Sequence, residues 1–173
     1  MVAIEPRFCH QCGAELVERE YDGRPRRYCE GCERFFFKNA VPAVSVFVRS
    51  GDRVLLLREP ESDSDWADAG RWVVPGGHSE YDEEPIDAAV RELEEETGIR
   101  ANVADLTLLS VGHSTYRGLH YNNIAYLLEY RDSEGELTPG PEAAELQFCT
   151  PAQMHESEKT RDIDLERLPL LFD

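Results

Sequence analysis

Residues 77–99, read as GHSEYDEEPIDAAVRELEEETGI, constrain this chain more than any other stretch. Pro85 to Thr97 predicts a helix. Pro suits a first helical turn, where its missing N–H has no partner to lose. Asp82, Glu83 and Glu84 sit near the positive end of the helix dipole, and Gly98 stops the helix. Ile86, Ala89, Val90, Leu93 and Thr97 recur at helical spacing and form a core face. At about 100° per residue, Glu92, Glu95 and Glu96 share another face. Three carboxylates side by side repel one another unless a cation lies among them, and such oxygen ligands suit magnesium or manganese. Arg91 is the basic residue inside the acid run, and it can reach Glu83 and tie the preceding loop to the helix. Gly76-Gly77 makes a tight loop whose carbonyls can also face a metal. The competing reading is a solvated acidic helix face, the usual origin of a charge run. The number of positions held at one fixed spacing argues against it.

Four cysteines mark the front of the chain. Cys9-x2-Cys12 and Cys29-x2-Cys32 are separated by 16 residues, within the spacing of a zinc site built from two knuckles. Gly13 and Gly31 supply the knuckle turns, and residues 14–28 predict a short hairpin around Asp22-Gly23. So small a segment needs a metal staple. A disulfide pair is the alternative, and a reducing compartment disfavours it. A closed four-thiolate site has no open position, so the zinc is expected to be structural. His10 lies between two ligands and is expected to be exposed. Arg24, Arg26 and Arg27 form a small basic patch, read as a solvated turn in preference to a phosphate or partner contact.

The chain has 173 residues, with 18 basic against 35 acidic side chains and a formal net charge of −17. Its length allows one real core with a small attachment. Its charge argues against a general nucleic-acid binder. Only Lys38 and Lys159 are lysines. An acidic, arginine-over-lysine surface suits a salt-loving organism, where a Debye length of about 3 Å in molar salt screens the self-repulsion. No apolar run is long enough to span a membrane, and the opening residues lack a signal-peptide core. The expectation is a cytoplasmic protein with no membrane contact.

Elsewhere, 40–49, 53–58, 71–75, 103–111, 121–130 and 145–149 predict strands. Residues 132–140 form a turn-rich connection, 151–154 start a short helix, and 162–171 form a terminal one. Phe35-Phe36-Phe37 is expected to pack the cysteine segment onto the larger domain. Residues 59–70 form an acidic loop with Trp66 in its middle, either stacking on a base or capping the core. Arg58 ends a strand beside that loop and can meet a phosphate or a surface carboxylate. Cys149 reads as a buried core thiol. His113 and His120 flank a loop and read as surface residues. Strands before and after one central helix predict an α/β sandwich, with residues 1–38 as a zinc ribbon and 39–173 as the larger domain.

Taken together, the Gly77–Ile99 residues resemble the Nudix box of the Nudix hydrolases, matching each of its fixed positions. Asp82 and Ser79 depart from common usage at positions that hold no metal. The resemblance implies a Nudix α/β/α sandwich that cleaves a nucleoside diphosphate linked to another group, using Mg2+ or Mn2+. It implies Glu92, Glu95 and Glu96 as metal ligands, with the Gly76 carbonyl as a further one. Glu92 acts as or orients the general base, and Arg91 and Glu83 form a structural pair. Such enzymes recruit one more acid from a later segment, for which Glu145 is the first candidate and Glu142 the second. The partner is a small-molecule nucleotide, and the domain can form a homodimer. A zinc ribbon joined to a Nudix domain is similar to the NADH pyrophosphatases. Their Ser-Gln-Pro-Trp-Pro-Phe-Pro array is absent from residues 108–116, which weighs against NAD-type specificity. Tyr116 is similarly placed to a tyrosine of diadenosine polyphosphate hydrolases. The rival expectation is a non-catalytic nucleotide sensor whose ribbon contacts a partner.

Overall fold

The structure is a computed structural model and describes residues 5–61, 69–116 and 118–172. Trp66 lies outside them. The chain divides into two compact units, residues 1–41 with 115–120 and residues 42–114 with 121–173. The first unit thus takes in residues up to 41, and the separate stretch 115–120 groups with it.

The first unit carries three strands, β1 (Val17–Tyr21), β2 (Arg24–Cys29) and β3 (Arg34–Phe36), in that order and antiparallel. Asp22 and Gly23 both take positive φ, 51° and 70°, the requirement of a two-residue turn that matches strand twist. The Phe35–Phe37 run supplies a strand that sequence periodicity does not predict. Phe36 packs with Cys9, Leu16, Cys29 and Cys32. Phe35 packs on Tyr21 and Tyr28, with ring centroids 4.8 and 4.7 Å away.

The second unit is a six-stranded sheet between two helical layers. Its strands are β4 (Val41–Ser50), β5 (Arg53–Arg58), β6 (Trp72–Val73), β8 (Thr107–Tyr116), β9 (Leu119–Glu129) and β11 (Glu145–Cys149). The order is β11-β5-β4-β9-β8, with β6 on β5. Alternation along β4 assigns the layers. Val44, Val46 and Val48 pack with Ala88, Ala89 and Leu93 of helix α1 (Pro85–Thr97), whereas Phe47 packs with Met154, Leu168 and Leu171. Those three residues lie on and between the short helices α2 (Pro151–Glu156), α3 (Asp162–Leu165) and α4 (Pro169–Phe172). A single terminal helix over 162–171 does not form. Pro169 has no N–H to give and its ring clashes with the carbonyl four residues back, so the helix breaks. The strand expected from Val103 begins at Thr107. Residues Val103–Asp105 form a 3-10 turn instead, in which the Asp105 carboxylate accepts from the amide of Asn102 at 3.3 Å. Two two-residue strands, β7 (Ile99–Arg100) and β10 (Glu134–Gly135), pair antiparallel beside the end of α1.

Candidate functional site

Helix α1 starts with Pro85 in its first turn and ends at Gly98, left-handed at φ 73°, whose N–H donates to the Glu94 carbonyl at 2.9 Å. That geometry costs a glycine nothing and strains other residues. The last carbonyls of a helix need donors. Loop residues supply them here: the N–H of Thr138 donates to Thr97 and that of Gly140 to Glu96, both at 2.9 Å. Gly140 lies so close to the helix that a Cβ there would collide with the Glu95 carbonyl. The loop therefore runs against the turn that carries Glu95 and Glu96.

Arg91 organises the acids. Its Nε and Nη2 fork onto the Glu83 carboxylate at 3.1 and 2.7 Å, the bidentate geometry that lysine cannot make. The same Nη2 donates to the His78 carbonyl at 3.1 Å. Nη1 donates to Glu92 at 2.9 Å and to Glu95 at 3.2 Å. Glu83 also accepts from the Glu80 amide at 2.7 Å. The bond from Arg91 and this amide hold its carboxyl below the usual range. One guanidinium thus closes the loop onto the helix and stands beside two of the three clustered acids.

Glu96 faces the core side of the cluster and is only 8 % exposed. The Gly76 N–H donates to it at 2.7 Å. Burial outweighs that bond and, with the charges of Glu92, Glu59 and Glu142, pushes its carboxyl up to about 8. Burial likewise raises Glu92, against the pull of Arg91 and with the push of Glu95 and Glu142. Glu95 is the exposed member, at 58 %. Of the Gly76-Gly77 pair, Gly76 is required by space, while a side chain at Gly77 would displace the Glu92 carboxylate. A Cβ at Gly76, where φ is 151°, would strike the Val44 carbonyl. Glu92 and Glu96, whose charged forms burial disfavours, together with Glu95 on the same helix offer the oxygen ligands that suit a hard divalent cation. A bound cation would offset the burial and the neighbouring acid charges that raise Glu96.

The later acids divide. Glu145 sits on β11 opposite Arg58 and pairs with it at 3.2 Å. Arg58 also lies 4.0 Å from Glu61. Glu142, at the end of the Gly140 loop, is the later acid whose charge acts on both Glu92 and Glu96. Glu59 acts on Glu96 as well and has no sequence signal, because it reaches the cluster only through the fold. Tyr116 ends β8, in the stretch 115–120 that groups with the first unit. There the Thr115 hydroxyl meets His120 Nδ1 at 3.3 Å. Within the carboxylates' own unit, the His78 and Tyr121 rings lie 6.0 Å apart.

In the first unit, the sulfurs of Cys9, Cys12, Cys29 and Cys32 all lie within 4.8 Å of one another. Among the described residues this is the one group of three or more metal-type ligands already converged. Cys9 and Cys32 are 3.9 Å apart and Cys12 and Cys29 are 3.5 Å apart. Tetrahedral zinc–sulfur bonds of about 2.3 Å place sulfurs about 3.8 Å apart, so the spacing fits zinc. The Cys32 amide donates to Cys29 at 3.4 Å. Burial would raise the Cys9 thiol, but amide bonds from Cys12 and Gln11 bring it down to about 7. Contact with Cys12, and burial, push Cys32 up to about 12. Four sulfurs this close cannot all ionise without a cation among them.

A NUDIX domain profile matches residues 39–171. A MutT-like protein of Streptomyces ambofaciens is 34 % identical over 118 residues, 68 % of each chain. The m7GpppN-mRNA hydrolase NUDT17 of Xenopus laevis is 37 % identical over 93 residues, which is 49 % of this chain and 31 % of that protein. The crystal structure of a NUDIX hydrolase from Nitrosomonas europaea superposes with a TM-score of 0.68. It is 22 % identical, covers 94 % of this chain and 88 % of its own, and shows a shared fold. The profile match spans most of the chain, including α1 and its carboxylates, so the chain belongs to the Nudix hydrolase family.

Proposed function

We propose that this protein hydrolyses a phosphorus anhydride in a nucleoside diphosphate linked to another group, with Mg2+ or Mn2+ held by Glu92, Glu95 and Glu96. The observation that carries this reading is the placement of Glu92, Glu95 and Glu96 on one helix, α1, with Glu96 buried, held by the Gly76 amide and raised to about 8. A bound divalent cation supplies charge neutralisation to the diphosphate oxygens and acidity to the attacking water. The chain's own groups do the rest. The Gly76 amide fixes the Glu96 carboxylate. Glu92, 15 % exposed, is the acid best placed to accept a proton from water. Arg91 and Glu83 hold the loop that carries Gly76 and Gly77, acting as positioning residues. For the later acid, the charge reaching Glu92 and Glu96 favours Glu142 over Glu145, which Arg58 engages. The four cysteines hold a structural zinc.

The test is release of a nucleoside monophosphate from a panel of ADP-ribose, dinucleotides, nucleoside triphosphates and a capped dinucleotide, in low and high salt with Mg2+ or Mn2+. The capped substrate is included because one relative is named a cap hydrolase. Glu95→Gln and Glu96→Gln are expected to lower kcat by 100-fold or more, about 3 kcal/mol of transition-state stabilisation. Turnover unchanged in both variants would remove the assignment. Binding without turnover across the panel would favour a sensor.

A further inference from the structure

The three-stranded sheet of the first unit has two unlike faces. Register puts Glu18, Glu20, Arg27 and Phe36 on one side and Arg19, Tyr21, Arg26 and Tyr28 on the other. The first side lies against the cysteines through Phe36 and Cys29, and its Arg27 is neutralised by Glu5 at 2.8 Å. The second side is a continuous array of rings and guanidinium groups. Arg19 lies over the Tyr28 ring at 4.6 Å and Arg26 over the Phe37 ring at 5.4 Å. Tyr21 meets Phe35 at 4.8 Å and Phe37 at 5.7 Å. Tyr21 is 44 % and Phe37 50 % exposed in the whole chain.

This face carries arginine without acid. Arg24 lies opposite Tyr21 on the same side. Among the described residues no carboxylate pairs with Arg19, Arg24 or Arg26, and Arg26 Nε is buried without a hydrogen-bond partner. The chain's charge is unevenly spread as well. Residues 1–41 hold seven basic and seven acidic side chains, so the full −17 falls on 42–173. The whole-chain charge that argues against nucleic acid therefore does not describe this surface.

Exposed rings on a small sheet, interleaved with unpaired guanidinium groups, match the chemistry of stacked bases joined by phosphates. A protein partner of matching charge would have to bring carboxylates to Arg19, Arg24 and Arg26, whereas a single strand brings both phosphates for these and flat bases for the exposed rings. We propose that the Arg19–Tyr21–Arg26–Phe37 face binds single-stranded nucleic acid, with bases stacking on Tyr21 and Phe37 and phosphates meeting Arg19, Arg24 and Arg26. This replaces the solvated-turn expectation for Arg24 and Arg26. Arg27, on the other side, is outside the site.

The experiment is fluorescence anisotropy of the full chain, without divalent metal, against a labelled ten-residue oligouridine with a 5′-hydroxyl end. That probe has no anhydride, so binding is read separately from hydrolysis. Tyr21→Ala and Phe37→Ala should each weaken binding about tenfold, the size of one lost base stack. Arg27→Gln should change it less than twofold. Three phosphate contacts give a slope of log affinity against log salt near about −2, and Arg19→Gln with Arg26→Gln should flatten it. Far-UV circular dichroism and melting of each variant check that the sheet is kept. Should Tyr21→Ala disturb the fold, Tyr21→Phe should bind as well as the native chain. The proposal is overturned by absence of binding in 50 mM salt, by equal loss in Arg27→Gln, or by a duplex binding as tightly as the single strand. A Tyr21-dependent self-association without oligonucleotide binding would overturn it too, and assign the face to a second copy.

Discussion

Glu96 and Arg91 show how single side chains set the behaviour of the site. Glu96 is a carboxyl whose folded value, about 8, lies above its unfolded value of about 4.3. Between those two pH values the folded state holds the extra proton, so stability falls as pH rises through the window. In the presence of chelator, the melting temperature should therefore decline between pH 5 and pH 9. Glu96→Gln should flatten that decline, and it should lose the rise in melting temperature that magnesium gives the native chain. Differential scanning fluorimetry measures both. Glu83 has the opposite sign: its folded value is depressed by Arg91. Its contribution is present above the ordinary carboxylate range and is lost as pH falls through the folded value. Arg91→Lys keeps the charge but loses the fork onto Glu83. It should cost about tenfold or more in kcat/KM, as supporting residues of metal sites commonly do, with magnesium titration showing weaker binding.

Helix α1 and the loop at residues 136–143 are joined by backbone hydrogen bonds at the last turn of the helix. The helix could be read from residues 77–99 because its start, stop and core face are all local: Pro85, Gly98 and the spacing of Ile86, Ala89 and Leu93. Leu93 is fully buried, and Leu93→Ala should destabilise by about 2–5 kcal/mol in urea unfolding. The loop carries no comparable signal. Gly140 is required because the chain passes against the Glu95 carbonyl, a closeness invisible in a turn-rich acidic stretch. Gly140→Ala should displace the last turn of the helix and destabilise by about 1–3 kcal/mol. Reduced magnesium affinity should accompany that loss, because Glu95 and Glu96 lie on the displaced turn; calorimetric titration separates the two effects. Two boundary errors have local causes. Asn102 with Asp105 makes a capped turn where apolar Val103 suggested a strand, and Pro169 divides the terminal helix.

As a whole, the molecule pairs a small unit of balanced charge with a strongly acidic one, and no helix among the described residues is long and apolar enough to cross a membrane. The small unit's apolar cluster consists of little beyond Cys9, Leu16, Cys29, Cys32 and Phe36, so a staple is expected to hold it. Elemental analysis should find about one zinc per chain. Blocking the thiols under a chelator should release it and remove hydrogen-exchange protection from β1, β2 and β3. The motifs that contact one another within a turn or two of chain were legible in advance: the acids of α1, the cysteine pairs, the Asp22-Gly23 turn and the alternation along β4. Each stems from helical or strand periodicity, which repeats over a few residues and leaves its mark in the order of side chains. Three other features came only from folding: the approach of Glu59 and Glu142 to the carboxylates, the engagement of Glu145 by Arg58, and the sorting of Arg19, Arg26, Tyr21 and Phe37 onto one side of a sheet. These depend on which distant segments pack together and in what register, and packing is a property of the assembled core that no short stretch of sequence records.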